Sequence, residues 1–311
     1  MGHILQIASI FKETIWGGTR LHSEYGFDIP SDHTGEAWVL SAHPNGQGRV
    51  VGGEYDGWKL SDLYRDHRDL FGSIANDQFP LLIKIIDANR DLSVQVHPDD
   101  AYAKEHEDSL GKTECWYVLG AREDTHLVMG HHAKTREELV RMVKEDDYDH
   151  LMNMVPIKKG DFFLIPSGTL HAIGSGSLIY EIQQSSDITY RVYDYHRKGA
   201  DGKERQLHVK QSLEVINVPG DAKADQEYPS RKVSGATETT YTANAFFTVK
   251  KYDVEGEMVL DNKSPFQLLG VMEGSGSIEG RPAKKGDHYI VCSDQKQTKI
   301  SGKLEVFVST L

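Results

Sequence analysis

The chain has 311 residues, 38% of them hydrophobic, which is enough for packed cores in two domains of ordinary size. A formal net charge of -12 without a basic run argues against a nucleic-acid backbone as partner, and an anionic substrate would need a local cationic receptor. No apolar run approaches the roughly 20 residues of a membrane helix, and Cys115 and Cys292 are too few and too far apart for a disulfide framework, so a soluble protein in a reducing cytoplasm is expected.

The opening MGHILQIASIFKETIW has neither the basic region nor the unbroken apolar run of a secretory signal. Short strands then follow one another: EAWVLSAH, GRVVGG, PLLIKIIDA, LSVQVH, ECWYVLG, THLVMG, DFFLIPSG and SLIYEIQQ, separated by Gly, Asp and Pro. Such regularly spaced short strands predict a sandwich or barrel. In LSVQVH the period-2 pleat puts Ser93, Gln95 and His97 on one face, with Val94 and Val96 on the other. Helical periodicity is confined to inserts. WKLSDLYRDHRDLFGS, from Trp58, has apolar residues at helical spacing; PDDAYAKEHEDSLGKT, between QVH and ECWYVLG, begins another helical insert. Thr135 stands three residues before Glu138 in TREELVRMVKEDD, the spacing of a capping box, and HVKQSLEVI is a further short helix.

The polar, aperiodic segment PGDAKADQEYPSRK, Pro219 to Lys232, reads as a linker. It divides the chain into a domain over 1–218 with helical inserts and a strand-rich domain over 233–311. The two halves also resemble each other. KKGDFFLIPSGTLHAI from Lys158 aligns with KKGDHYIVCSDQKQTKI from Lys284, and the same offset puts Gln297 where His171 stands. This pattern indicates a duplicated β module whose second copy has lost its histidine.

The run GDFFLIPSGTLH matches the second motif of the cupin β-barrels: a glycine, five residues, proline, one residue, glycine, two residues, histidine. Gly160 and Asp161 make a turn there, and Pro166 and Gly168 a bend that aims His171 at the barrel mouth. The expected fold is therefore mostly β, with two cupin-like jelly-roll barrels and helical inserts in the first. The first cupin motif is altered: Gln95 takes the place of the first histidine, and Glu114 comes only after a long insert beyond His97.

Those departures, with FKETIWGGTRL, GEAWVLSAHP, PLLIKIIDANRDLSVQVHPDD, GKTECWYVL, IPSGTLHAIG and YEIQQSSDITYRVYDYHR in that order, resemble the type I mannose-6-phosphate isomerases of the short bacterial kind. The resemblance implies one Zn2+ held by Gln95, His97, Glu114 and His171. Two imidazoles and a carboxylate suit zinc, and a neutral amide leaves the ion electrophilic. It also implies reversible isomerisation of D-mannose 6-phosphate to D-fructose 6-phosphate, by metal-assisted proton transfer through a cis-enediol.

By the same resemblance Arg191 is the catalytic arginine, and Lys112 and Glu181 line its pocket. Glu181, Lys112 and a metal-bound hydroxide are alternatives for the general base. A phosphate dianion wants guanidinium or ammonium donors, and Arg191, Lys112 and Arg197 are the local candidates. Trp16 and Glu36 match the family's N-terminal pocket residues, and Ser93 is placed to meet the sugar. Two other readings compete: an iron-dependent cupin oxygenase, and a non-catalytic sugar-binding cupin. The expected partner is a small sugar phosphate, with no nucleic acid and no membrane, and the chain is expected to be a monomer or weak homo-oligomer. The product would serve mannose catabolism or the supply of GDP-mannose. Cys115, beside Glu114, is expected to face the opposite side as a small apolar residue.

Overall fold

A computed structural model describes residues 2–199, 202–220 and 227–311. Among the described residues the strands form three main sheets and one two-stranded ribbon. The fold is the mostly β cupin architecture expected. Six strands, in the order Phe162–Ile165, Glu114–Gly120, Ser177–Gln184, Leu81–Ala88, Thr34–Leu40 and Ile10–Gly18, make the middle layer. Five strands, in the order Met152–Pro156, His126–His131, His171–Ile173, Val94–Val96 and Tyr190–Tyr193, make a second sheet. Leu127, Met129 and Ile173 of the five-stranded sheet pack with Ile86, Trp116, Val118 and Ile179 of the six-stranded one, which defines a sandwich interior.

Both outer faces of this sandwich are covered. Val94, Val96, Val128, Ala172 and Val192 leave the five-stranded sheet on its far side and pack with Leu139, Met142 and Val143 of the helix Arg136–Lys144. Thr135 caps that helix by accepting from the Glu138 backbone N–H at 3.2 Å. The Glu138 carboxylate turns back to the Lys134 N–H at 2.7 Å. From the six-stranded sheet, Ile83, Ile85, Cys115, Tyr117, Tyr180 and Ile182 pack against Phe247, Phe266, Leu268 and Phe307 of the C-terminal part. Covering on both sides explains why Leu81–Ala88 and Ser177–Gln184 are buried at every position and read as nearly unbroken apolar runs. Cys115 lies on the face away from Glu114's partners, fully buried.

The C-terminal sheet carries the strands Ala236–Ala243, Thr248–Asp261, Gln297–Thr310, Gln267–Ile278 and His288–Val291. Ile4–Ala8 pairs antiparallel with His288–Val291 on one side and with Arg49–Val51 on the other. Two strands from the first fifty-odd residues therefore complete the sheet of the distal domain, something a division of the chain at 218 and 233 makes no provision for. Of the proposed linker, 221–226 lie outside the described residues, and Ser230–Val233 is a strand paired with Ala236–Ala243.

The repeated KKGD makes the same turn twice. Asp161 Oδ2 accepts from the Lys158 N–H at 2.8 Å and Asp287 Oδ2 from the Lys284 N–H at 2.9 Å, with Gly160 at φ 97° and Gly286 at φ 94°. His171 opens the strand His171–Ile173 and Gln297 opens Gln297–Thr310. Gln297 is exposed and donates to Asp261 Oδ1 at 3.1 Å. The insert after QVH forms the helix Asp100–Glu107, capped by Asp99, which accepts from the Tyr102 N–H at 2.8 Å. It joins strands of opposite sheets rather than adjacent strands of one. No helix among the described residues is long and apolar enough to cross a membrane.

Candidate active site

Strand register assembles the site. In the five-stranded sheet His171 stands opposite Gln95, and Gln95 opposite Arg191, so one row carries an imidazole, an amide and a guanidinium. In the six-stranded sheet Trp38 stands opposite Lys84, Lys84 opposite Glu181, and Glu181 opposite Trp116; Gln183 stands opposite Glu114. Directly opposed residues of antiparallel strands share a face. The two polar rows therefore meet at the open end of the sandwich, above the apolar interior.

At the base of this end His97 Nε2 lies 3.1 Å from His171 Nε2. Glu114 brings Oε2 to 3.6 Å from His97 Nε2 and Oε1 to 3.4 Å from His171 Nε2, all three residues being buried. Gly168, at φ 82°, makes the bend before His171, and its N–H donates to the His97 carbonyl at 2.8 Å. The motif glycine thus ties the two ligating strands together as well as turning the chain. His171 Nδ1 meets the Thr169 carbonyl at 2.8 Å, and a carbonyl only accepts, so the proton sits on Nδ1 and the Nε2 lone pair faces the cluster. Burial holds the His171 imidazole down at about 4. Burial, with Lys112 and His171 nearby, likewise lowers His97. Both rings are neutral at neutral pH, as ligation requires.

The donor set suits a divalent cation. Glu114 Oε1 is buried and has no hydrogen-bond donor among the described residues, and burial beside the Glu181 charge raises the Glu114 carboxyl above its ordinary range. A cation between the two Nε2 atoms and this carboxylate would relieve both the orphaned oxygen and the destabilised charge. The Gln95 amide lies 3.5 Å from His171 Nε2, within reach as a neutral fourth donor once its oxygen is turned inward. His97, Glu114 and His171 form a cluster that could hold a metal ion. Lys112 Nζ borders it, 2.8 Å from Glu114 Oε2 and 3.2 Å from His97 Nε2.

Above the cluster opens a cavity of about 340 Å3. Trp16, Glu36, Ser93, Gln95, Lys112, Glu181 and Arg191 line it, and so do Lys84, Asp187 and Arg205. Glu181 is fixed by the Trp116 indole N–H at 2.8 Å and by Lys84 Nζ at 3.1 Å. Burial alone would raise the Glu181 carboxyl, but the Lys84 and Lys112 charges outweigh it and hold the group well below its ordinary range. Burial would lower Lys84; Glu181, with Glu36 at 3.8 Å, overrides that and holds the ammonium firmly protonated. Glu36 Oε2 also accepts from the Trp38 indole at 2.5 Å.

Arg197 departs from its expected place. Its guanidinium turns away to Asp194 and to the Asp91 carbonyl, and it is absent from the cavity wall; Arg205 stands there instead. Lys84 was open to detection as a charge set between LLI and II in an otherwise apolar run. Arg205 carried no such signal, because a loop brings it to the site.

Two packed sheets closing on an inward His–Glu–His cluster define a cupin equipped to hold a metal ion. Its first part, residues 4–148, matches the family model of the phosphomannose isomerase type I catalytic domain, and residues 237–311 match that of the mannose-6-phosphate isomerase cupin domain. Among curated proteins, mannose-6-phosphate isomerase of Streptococcus mutans is 47% identical, the match spanning 99% of this chain and 98% of that protein. Mannose-6-phosphate isomerase ManA of Bacillus subtilis is 48% identical over 97% of each. The crystal structure of a mannose 6-phosphate isomerase from Bacillus subtilis superposes with a TM-score of 0.96, at 41% identity and 99% coverage of both chains. The chain belongs to the type I mannose-6-phosphate isomerases.

Proposed function

We propose that the chain interconverts D-mannose 6-phosphate and D-fructose 6-phosphate in the cytoplasm, with one Zn2+ held by Gln95, His97, Glu114 and His171. The observation that carries the reading is the cavity itself, in which a neutral-imidazole and carboxylate cluster lies directly beneath a wall of cations and hydrogen-bonding groups. The ion would supply an electrophile for the carbonyl and hydroxyl oxygens of the sugar, the usual Lewis-acid contribution.

The chain's own residues bind the sugar and stabilise the charge that builds on it. Moving a hydrogen between C2 and C1 builds negative charge on the two oxygens, and fixed donors facing that charge are worth about 3 to 4 kcal/mol each. Lys112, 2.8 Å from Glu114 Oε2, is the donor nearest the cluster, and Arg191 adds a fixed positive charge at the cavity wall. Arg191 is held there by Ser93 Oγ at 3.3 Å and the Gln206 carbonyl at 2.8 Å. Glu181, kept ionised by two lysines, is a weak proton acceptor. Its part is to anchor Lys84 and the Trp116 indole against the cavity wall. Trp16, 5% exposed, offers an apolar face for the sugar ring, and Glu36 accepts from its hydroxyls.

The test is fructose 6-phosphate formation from mannose 6-phosphate in a coupled assay, before and after chelation and with zinc restored. Activity lost on chelation and regained with zinc is expected. Folded, metal-replete protein without turnover would overturn the reading. Oxygen consumption without isomerisation would favour the oxygenase alternative, and binding without turnover the sugar-binding one.

A further inference from the structure

Two guanidiniums clasp one carboxylate beside the cavity, and a third lines the same cavity. Asp194, 4% exposed, accepts from Arg205 Nε at 2.7 Å and Nη2 at 2.6 Å, and from Arg197 Nε at 2.9 Å and Nη2 at 2.6 Å. One anion thus fixes two cations. Arg197 spends its remaining donors on the Asp91 carbonyl and lies over the Tyr195 ring at 5.5 Å, outside the cavity. Arg205 lines the cavity, and its Nη1 edge has no hydrogen-bond partner among the described residues. Arg191 commits Nε and Nη1 to Ser93 and Gln206, forms no ion pair among the described residues, and keeps Nη2 free.

Two neighbouring guanidiniums therefore present uncommitted N–H edges to the same space. They are close enough to repel, since burial and then the Arg205 charge lower the Arg191 guanidinium. A fold carries such a like-charge pair at a cost, which an anion between them removes. An oxygen dianion, with several acceptors and two charges, fits two guanidinium edges far better than a carboxylate or a neutral hydroxyl does.

We propose that Arg205, clasped by Asp194, is a specificity-determining residue that binds the phosphate group of the substrate together with Arg191, and that Asp194 is its positioning residue. The proposal rests on the sugar-phosphate isomerase reading above and adds to it the selection of phosphorylated over free sugar. Because Asp194 orients the fork of Arg205, a lysine at position 205 keeps the charge and loses the geometry.

The experiment compares wild type, Arg205→Ala, Arg205→Lys and Asp194→Asn as metal-replete, full-length proteins. It measures KM and kcat for mannose 6-phosphate and, by calorimetry, the affinity for inorganic phosphate. Arg205→Ala should raise KM by about tenfold or more while kcat stays within about threefold, and phosphate affinity should fall in parallel. Arg205→Lys and Asp194→Asn should shift both in the same direction by less. KM and phosphate affinity within about twofold of wild type in folded Arg205→Ala, or a loss confined to kcat, would overturn the proposal. Should Arg205→Ala not fold, Arg205→Lys and Asp194→Asn decide on the same criteria. If wild type turns over no mannose 6-phosphate, the isomerase reading fails. The phosphate titration then decides alone: equal affinity in wild type and Arg205→Ala, or none in either, overturns the anion site.

Discussion

Replacing Lys84 by Met tests whether the buried charge row holds the site's wall together. Lys84 is 4% exposed and sits 3.1 Å from Glu181, itself 3% exposed. At that separation two unit charges attract by about 5 kcal/mol for an effective dielectric near 20. Breaking one partner of a buried pair costs roughly 3 to 5 kcal/mol, because the survivor is left uncompensated. Lys84→Met should therefore lower unfolding free energy by about that amount at pH 7. The Trp116 indole and the more distant Lys112 give Glu181 its remaining support.

The penalty also has a definite pH dependence. Without Lys84 the largest cause that lowers the Glu181 carboxyl is gone, and its folded pKa rises from that depressed position. In wild type the depressed Glu181 carboxyl contributes stability that is fully present above 4.5 and is lost as pH falls toward about 2, so the Lys84→Met penalty is largest near neutral pH and shrinks as pH falls. Urea denaturation at pH 4 and pH 7 reads both effects, and Lys84→Met/Glu181→Leu should recover much of the loss. A Lys84→Met penalty below about 1 kcal/mol at pH 7, or one unchanged at pH 4, would refute the buried-pair argument.

His171→Ala should lose bound metal and activity together, whereas Arg191→Ala should keep metal and lose turnover by about a hundredfold or more; metal analysis beside the coupled assay separates them, and full activity in Arg191→Ala would refute its assigned role. His288 is buried in the C-terminal sheet and pushed by burial to about 4, against an ordinary 6.5, although its Nδ1 bonds the Gly286 carbonyl. The unfolded chain takes up that proton first, so stability should fall by roughly 3 kcal/mol as pH drops from 6.5 to about 4. His288→Asn should flatten that part of the stability curve, and an unchanged slope would count against it. Thr135→Ala, which removes the cap on the Glu138 N–H, should cost about 1 kcal/mol by denaturation with the assay unaffected.

Local chemistry was legible from residue order. The period-2 alternation of LSVQVH placed Gln95 and His97 on one face, as the register with His171 and Arg191 requires. The Thr135 cap, the KKGD turns and the glycine bend before His171 all depend on backbone conformations set within a few residues, which sequence spacing encodes directly. The ordered motifs from FKETIW to YDYHR likewise carried the family.

What depends on which distant strands pair was decided only in three dimensions. Ile4–Ala8 looks from sequence like part of the first domain, yet it finds its partner in His288–Val291, nearly the whole chain away. Lys84 became a site residue because register sets it opposite Glu181, and no local pattern names a cross-strand partner. Arg197 and Arg205 are equally basic in sequence; the single carboxylate of Asp194 turns one outward and leaves the other on the cavity wall. Sequence determined which groups the chain owns and how each short segment bends. Long-range pairing, whose energy lies between residues far apart in the chain, determined which of those groups share a cavity.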